Sequence, residues 1–472
     1  MPRDIDYQPY CLDVAVIGSG VAGLAAAWLL SKTQRVTVYE QEGRIGGHSN
    51  TVNVSTGTGP VGIDTGFIVY NELNYPNLTA LFAHLGVETQ KSEMSFAVSM
   101  GGGDLEYAGS SIARLFGQPR NLLRRRFWHI LRDIRRFYRE GSMLAIAGDN
   151  ATLSLGAYLD RERYSESFIS DHLLPMAAAI WSTDTASMRA YPALAFVRFC
   201  MNHGLMQVSG RPRWRSVVGG SRSYVQRLTA SFSDRIMINA RVTGLTRTPA
   251  GVVVEDANGA VNRFDKVVIA THADQALSML ADPSDDERRL LGAFRYRANV
   301  AVLHRDRRLM PKRKRVWSSW NYIDGRTPER HRRPKSSARP ALADLPTPPS
   351  AAERVCVTYW MNRLQNVDTG APVFVTLNPH TPPEPKKTLK TFNYHHPMFD
   401  AEALRAQAQL HRLQGRRSTW FCGSYFGAGF HEDALASGLA VGEALGGARR
   451  PWAETGGATA EGATEGYRSA AE

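Results

Sequence analysis

Cysteine is the scarcest chemistry-bearing residue of this chain. Only Cys11, Cys200, Cys356 and Cys422 occur among 472 residues, and no two of them form a CxxC pair. That spacing excludes a disulfide framework and a thiolate metal cluster, and it fits a reducing compartment. No run of about 18 apolar residues occurs, so no transmembrane helix is expected. The opening MPRDIDYQPY carries acids and proline where a secretory signal needs an apolar core. A cytosolic protein is the expectation, peripheral at most to the inner face of a membrane. Acids are outnumbered as well, 44 against 57 Lys and Arg, for a formal charge of +13. Such an excess suits nucleic acid, anionic lipid or an acidic substrate. Zinc-finger spacing and RNA-binding signatures are both missing, which argues against nucleic acid. His395-His396-Pro397 has no companion histidines or acids at ligand spacing, so no metal is expected.

What is present is organised around Asp13 to Gly47. Val14 to Ile17 form an apolar run suited to a buried parallel strand, and Gly18-Ser19-Gly20-Val21-Ala22-Gly23 follows at once. Good helix formers come next, then Arg35 to Tyr39 as a second strand ending in Glu40. Gly18 permits a tight turn, Gly20 lets a pyrophosphate approach the backbone, and Gly23 lets the helix pack on the strand. The free N–H groups of the helix start favour an anion. Glu40 stands where a carboxylate accepts bonds from ribose hydroxyls, which disfavours NADP.

The segment Arg44-Ile45-Gly46-Gly47-His48 resembles the RxGG element of two-dinucleotide-binding-domain flavoproteins. The resemblance implies FAD, with Arg44 on the pyrophosphate and Gly46 and Gly47 along the flavin side. Further matches run in family order to the amine-oxidase-like branch: Asp64, Thr65, Gly66 and Phe67, the strand ending in Ala270 and Thr271, and the turn at Gly423. Val242 matches the position whose backbone meets the adenine. By the same resemblance Ser19, Ala22, Gln41 and His48 belong to the cofactor set. The family pattern G-Y-M-E-G-A becomes Gly429-Phe430-His431-Glu432-Asp433-Ala434, so His431 and Asp433 depart from amine oxidases proper. Strings such as GGHSNTV, DTGFIVYN and GFHEDALASGL resemble a bacterial group of NAD/FAD-binding proteins related to flavin amine oxidases and phytoene desaturases. Such proteins are often encoded near cyclopropane-fatty-acid synthases, which hints at modified acyl chains.

The implied fold is α/β, a Rossmann-like flavoprotein with a discontinuous FAD domain and an α+β substrate domain. Its FAD segments are 11–92, 211–275 and 411–447. The substrate domain takes 93–210, helical, and 276–410, largely sheet, and 448–472 reads as a disordered tail. Residues 325–353, rich in Pro, Arg and Ser, read as an exposed loop. Between Pro119 and Glu140, apolar residues from Leu122 to Tyr138 recur at helical spacing with seven arginines mostly elsewhere. Either this helix lies on anionic lipid or it docks on the protein with a solvated basic face. A second basic run, Arg305 to Arg315, precedes the aromatics Trp317, Trp320 and Tyr322, which suit a lipid interface, base stacking or a sheet interior.

Hydride abstraction from an acyl carbon needs a base, and His431, Glu432 and Tyr425 are the candidates, with Phe430 at one aromatic-cage position. Glu432 and Asp433 also suit a helix cap, and His48 suits a proton carrier, a flavin tether or a structural histidine. Three functions stay open: an FAD-dependent oxidoreductase of a lipid-like small molecule, an amine oxidase making imine and peroxide, and a non-catalytic flavin- or lipid-binding partner. Substrate, electron acceptor and oligomeric state are not legible.

Overall fold

Val14, Val16 and Ile17 have no polar face to offer water, so the strand Asp13–Ile17 takes the middle of a parallel sheet covered on both sides. The computed structural model describes residues 11–147, 153–207, 210–325 and 355–453. The N-terminal and 325–353 loop assignments therefore fall almost wholly outside the described residues. In space the sheet runs Ile236–Met237, Arg35–Tyr39, Asp13–Ile17, Lys266–Ile269, Thr419–Phe421, all parallel. Ile17 pairs with Tyr39 on one side and Ile269 on the other, which aligns the C-terminal ends of three strands at one rim. Ligands of open α/β sheets bind at such a rim.

The helix Val21–Leu30 is buried at all ten positions. The sheet covers one side, and the C-terminal helix His431–Ala444 covers another through Gly438 and Gly442. Asn239-Ala240-Arg241 leads into an antiparallel three-stranded unit, Val242–Thr248, Gly251–Asp256 and Val261–Phe264, with the hairpin turn at Asn258-Gly259.

A second, seven-stranded sheet is ordered Thr388–Met398, Arg295–His304, Phe374–Leu377, Val357–Trp360, Trp320–Ile323, Phe96–Met100, Leu105–Ala108. Trp317 packs edge-on against Trp360 and Phe374, so the aromatics after the second basic run belong to the protein interior. Of the helices between Ile112 and Asn202, Ile112–Leu115 packs on the strand Leu105–Ala108 and Leu174–Trp181 on the strand Trp320–Ile323. The basic helix spans Arg125–Ala147, preceded by a short turn of helix at Pro119–Leu123. Its apolar face is docked: Phe127, Ile130 and Phe137 are in the main core. That face is therefore not available to a bilayer. Arg126 pairs with buried Asp171, and Arg132 with buried Asp133. Among the described residues no helix is long and apolar enough to cross a membrane.

One expectation is corrected at the C-terminus. Residues 448–453 are held: Trp452 stacks on Trp28 at 6.1 Å and donates to Asn77 Oδ1 at 3.1 Å, while Arg450 pairs with Glu443. The remainder of that tail lies outside the described residues.

Candidate functional site

The glycine turn between the first strand and first helix is shaped by backbone contacts. A Cβ on Gly18, whose φ is +102°, would come 2.9 Å from the Ala270 carbonyl oxygen, and one on Gly23 would come 2.0 Å from the Gly18 oxygen. Gly20 differs, because a Cβ there would meet nothing within 4 Å. The first helical bond, Leu24 N–H to Gly20 O at 2.9 Å, leaves the amides of Val21, Ala22 and Gly23 without helical partners. Gly20 caps the helix with no side chain, and no acid occupies the first turn. Open space before unpaired amides at the positive end of a buried helix is a cradle for phosphate.

Glu40, buried, accepts from the Ser19 N–H at 3.1 Å, from the Ser19 hydroxyl, and from the Glu42 N–H at 2.8 Å. Ala240 and Asn239 return from the far strand to the carbonyls of Glu40 and Glu42, which brings buried Val242 beside the acid. Gln41 beside it is exposed. Gly46 donates to Ser19 O, and a Cβ on Gly47 would lie 3.1 Å from Gly20 Cα, so the RxGG segment crosses the glycine turn. Arg44 sits on this crossing, bonded to Gly47 O at 2.7 Å and to Glu42 at 2.9 Å. Thr271 then links both ends of the chain. Its methyl lies 3.4 Å from the Cβ position of Gly18, and its carbonyl 3.5 Å from that of Gly423.

Past the crossing, the site becomes aromatic and rich in neutral imidazoles. Gly66 is glycine because a Cβ would fall 2.2 Å from the His48 carbonyl oxygen, and Phe67 N–H bonds that same oxygen at 2.7 Å. The Phe67 ring lies flat on His431, centroids 3.9 Å apart. His431 Nε2 meets Tyr224 Oη at 2.7 Å, and Tyr224 meets Ser49 Oγ at 2.5 Å. Burial pushes His431 down to about 3, so the ring is neutral and the triad can carry a proton without holding a net charge. Neighbouring His48 is also pushed to about 3 by burial, and its Nε2 is buried with no protein partner. Its ring faces Tyr394 and His396, while His272 stacks on Tyr296. Thr65 reaches the same place, its hydroxyl 2.7 Å from Tyr394 Oη. An orphaned polar nitrogen here fits a polar ring edge of a bound cofactor.

Several expected site residues serve the scaffold instead. Glu432 accepts from Asn77 N–H and side-chain amide, both 2.8 Å, and from Leu78 N–H at 3.0 Å. It caps the helix Pro76–Leu85 from outside, so its carboxylate is directed away from the acid–base role proposed for it. Asp433 accepts from Phe430 N–H at 2.8 Å and caps its own helix, at whose start Ala434 is buried. Asp64, expected at the cofactor, is enclosed by Thr51, Ser221 and Gln365 and ties the Thr51–Asp64 hairpin to the helix Arg222–Thr229. Tyr425 is packed in the core against Phe294 and Phe426 with its hydroxyl unpartnered, not beside His431. Sequence reasoning missed Tyr224, Ser49, His272 and Tyr394; His272 alone carried a local signal, a polar residue ending an apolar strand, and the others stand in mixed polar surroundings.

Phe430 opens the substrate side. It stacks on Phe199 at 4.9 Å and meets Trp181 at 6.2 Å, with His203 behind Phe199. A cleft beside it is lined by Trp181, Thr183, Met188, Tyr191, Phe399 and Arg295. Trp181 Nε1 and Thr183 Oγ1 are buried without a protein partner. The carboxylates near it, Asp184 and Asp400, are each held by an arginine, Arg297 and Arg295.

Phosphate cradle, ribose-side acid, crossing RxGG segment and a late helix returning to the same rim define the class, a flavoprotein built to hold an extended dinucleotide. Residues 21–444 match the family model for flavin containing amine oxidoreductases, and the chain belongs to that family. Its cofactor is FAD. A Mycobacterium tuberculosis relative, provisionally named flavin-containing monoamine oxidase AofH, is 28% identical over 268 residues, 55% of this chain. The match spans only 57% of that relative's length. Among solved structures, a CLA-producing fatty acid isomerase from P. acnes is similar with a TM-score of 0.63 at 15% identity, covering 92% of this chain and 98% of that one. Cyclohexylamine oxidase from Brevibacterium oxydans IH-35A reaches 0.63 at 16%, covering 92% and 100%. These likenesses establish the fold.

Proposed function

We propose that this protein removes hydrogen, as hydride, from a carbon of an apolar, acyl-chain-like substrate. FAD supplies the hydride acceptor when bound. The chain's own residues exclude water, keep the histidines uncharged and orient the substrate against Phe430. One observation carries the reading: Trp181 and Thr183 line the cleft beside Phe430 and their indole N–H and hydroxyl are buried with no partner in the protein, while the carboxylates at the cleft are already paired with arginines. A polar end that accepts hydrogen bonds, such as a carboxylate or ester, suits the donor-only Trp181 N–H, and an ammonium would find both carboxylates there already held by arginines. Phe430 is also covered by Phe199, which favours a flat hydrocarbon contact over an open two-ring amine cage. His431, with Tyr224 and Ser49, is the proton-handling group closest to the flavin end of the site in this reading.

A second reading, oxidation of an amine to an imine with release of peroxide, draws support from the relative named as a monoamine oxidase. Anaerobic titration of the yellow holoprotein separates the two. Loss of flavin absorbance with fatty acids or acyl lipids is expected. Bleaching by amines alone would replace the first reading with the second, and bleaching by neither would favour a non-catalytic binding role.

A further inference from the structure

Two basic stretches about 190 residues apart in the chain meet on one surface. Gly117 faces the short turn Lys314–Val316: a Cβ on it would lie 2.6 Å from Val316 Cγ1 and 3.7 Å from Arg315 Cβ. Gly103 abuts the Lys312 side chain, and neighbouring Asp104 holds both Arg120 and Arg124 at 2.8 Å. Arg313 is neutralised by buried Glu106. Among the described residues, Arg125, Lys312, Lys314 and Arg315 have no carboxylate partner, and all four are exposed.

Apolar side chains stand among these cations without cover. Leu123 is 89% exposed, Ile112 79%, and Leu122 and Trp128 49% each. They are held together: Trp128 donates its indole N–H to Leu122 O at 2.9 Å, and its ring meets Phe116 at 6.0 Å, on the turn that follows Ile112. The core-facing side of the basic helix is already used; Leu122 and Leu123, expected on that same stripe, stay outside the core and join Ile112 and Trp128 on the surface.

We propose that this tract, Ile112, Leu122, Leu123 and Trp128 ringed by Arg125, Lys312, Lys314 and Arg315, docks the protein on an anionic phospholipid surface. Tryptophan and leucine enter the headgroup boundary while lysine and arginine meet the phosphates. The charge complementarity selects lipid over an apolar protein partner, since a buried protein interface would leave four cations to be desolvated. The reading is independent of the substrate.

Co-sedimentation of the full-length holoprotein with vesicles tests it. Vesicles of phosphatidylcholine with phosphatidylglycerol should pellet most of the protein, vesicles of phosphatidylcholine alone should not, and raised salt should release it. A Leu123→Asp/Trp128→Ser variant and a Lys314→Glu/Arg315→Glu variant should each lose binding by at least about tenfold, whereas Arg405→Glu should bind as the parent does. Unchanged far-ultraviolet dichroism and flavin content would show that the variants remain folded. Equal binding to both vesicle types, or folded variants that still pellet, would overturn the proposal. So would a tract that proves to mediate self-association, with Leu123→Asp/Trp128→Ser abolishing a dimer and leaving vesicle binding untouched.

Discussion

Gly438 rests directly on the main chain of Ala22: a Cβ at Gly438 would lie 2.0 Å from the Ala22 carbonyl oxygen. This contact seats the C-terminal helix on the helix that begins at the phosphate cradle. Gly438→Ala is expected to destabilise the protein by about 1–3 kcal/mol through overpacking and to lower flavin occupancy. Thermal melting with and without added FAD measures both, and a wild-type melting curve would refute the contact.

Gly20→Ala should behave in the opposite way. Its φ of −65° suits alanine, and open space surrounds the added carbon. The apoprotein should melt as wild type does, yet FAD affinity should fall by about tenfold or more, near 1.4 kcal/mol, because the methyl projects into the cradle. Equal affinity in a fluorescence titration would remove the phosphate from this position.

Glu432 offers a test of role. Glu432→Ala leaves Asn77 and Leu78 donors unsatisfied and should cost about 1–3 kcal/mol. Glu432→Gln keeps an acceptor and should cost less, with flavin reduction slowed by no more than about threefold. Loss of a general base would slow it about 100-fold or more, and that result would return Glu432 to the reaction.

Acid sensitivity follows from the buried imidazoles. His48, His272, His396 and His431 lie at about 3 to about 4, pushed down from 6.5 by burial. The unfolded chain therefore takes up these protons first as pH falls below 6.5, and stability drops by up to about 1.4 kcal/mol per pH unit for each histidine. Asp64 and Glu432 oppose this, because burial raises them to about 6 and about 7. Their contribution is present below their unfolded values and is lost as pH rises through those folded ones. Burial lowers His172, His203 and His304 to about 4 as well, so seven imidazoles outweigh the two carboxyls and the melting temperature should fall between pH 6.5 and pH 4.5. His431→Asn should flatten that slope by about one proton; parallel curves would contradict a neutral buried His431.

Trp181→Phe removes a donor from the cleft while keeping an aromatic ring. With a carboxylate-ended substrate the KM should rise about tenfold, the value of one hydrogen bond to a charged group, with FAD affinity unchanged. An unaltered KM would detach the acceptor end of the substrate from Trp181.

Sequence periodicity reached furthest where one element does its job locally. The Val14-to-Gly23 run and the Glu40 strand end were readable because strand, turn, cap and acid lie within thirty residues of one another and each has its own residue chemistry. The return of Ala270-Thr271 and Gly423 to the same rim was reached through family resemblance. Glu432 was misjudged because its partners, Asn77 and Leu78, are about 350 residues away in sequence. Helical spacing in the basic stretch marked a buried side at Phe127, Ile130 and Phe137 but wrongly extended it to Leu122 and Leu123, which precede the helix and are exposed, and spacing carries no information on whether lipid or protein covers the face. Tyr224 was invisible as a site residue for a related reason: its hydroxyl gains meaning only when His431 folds back onto it.

The strand Thr419–Phe421 supplies one edge of the sheet that presents the cradle. Its neighbour in the sheet, Lys266–Ile269, precedes it by about 150 residues, so on the ribosome the platform stays open on that flank until this late strand has emerged. A product truncated before Thr419 lacks both that edge and the helix His431–Ala444 that seats on the cradle helix, and it is expected to retain the coenzyme poorly.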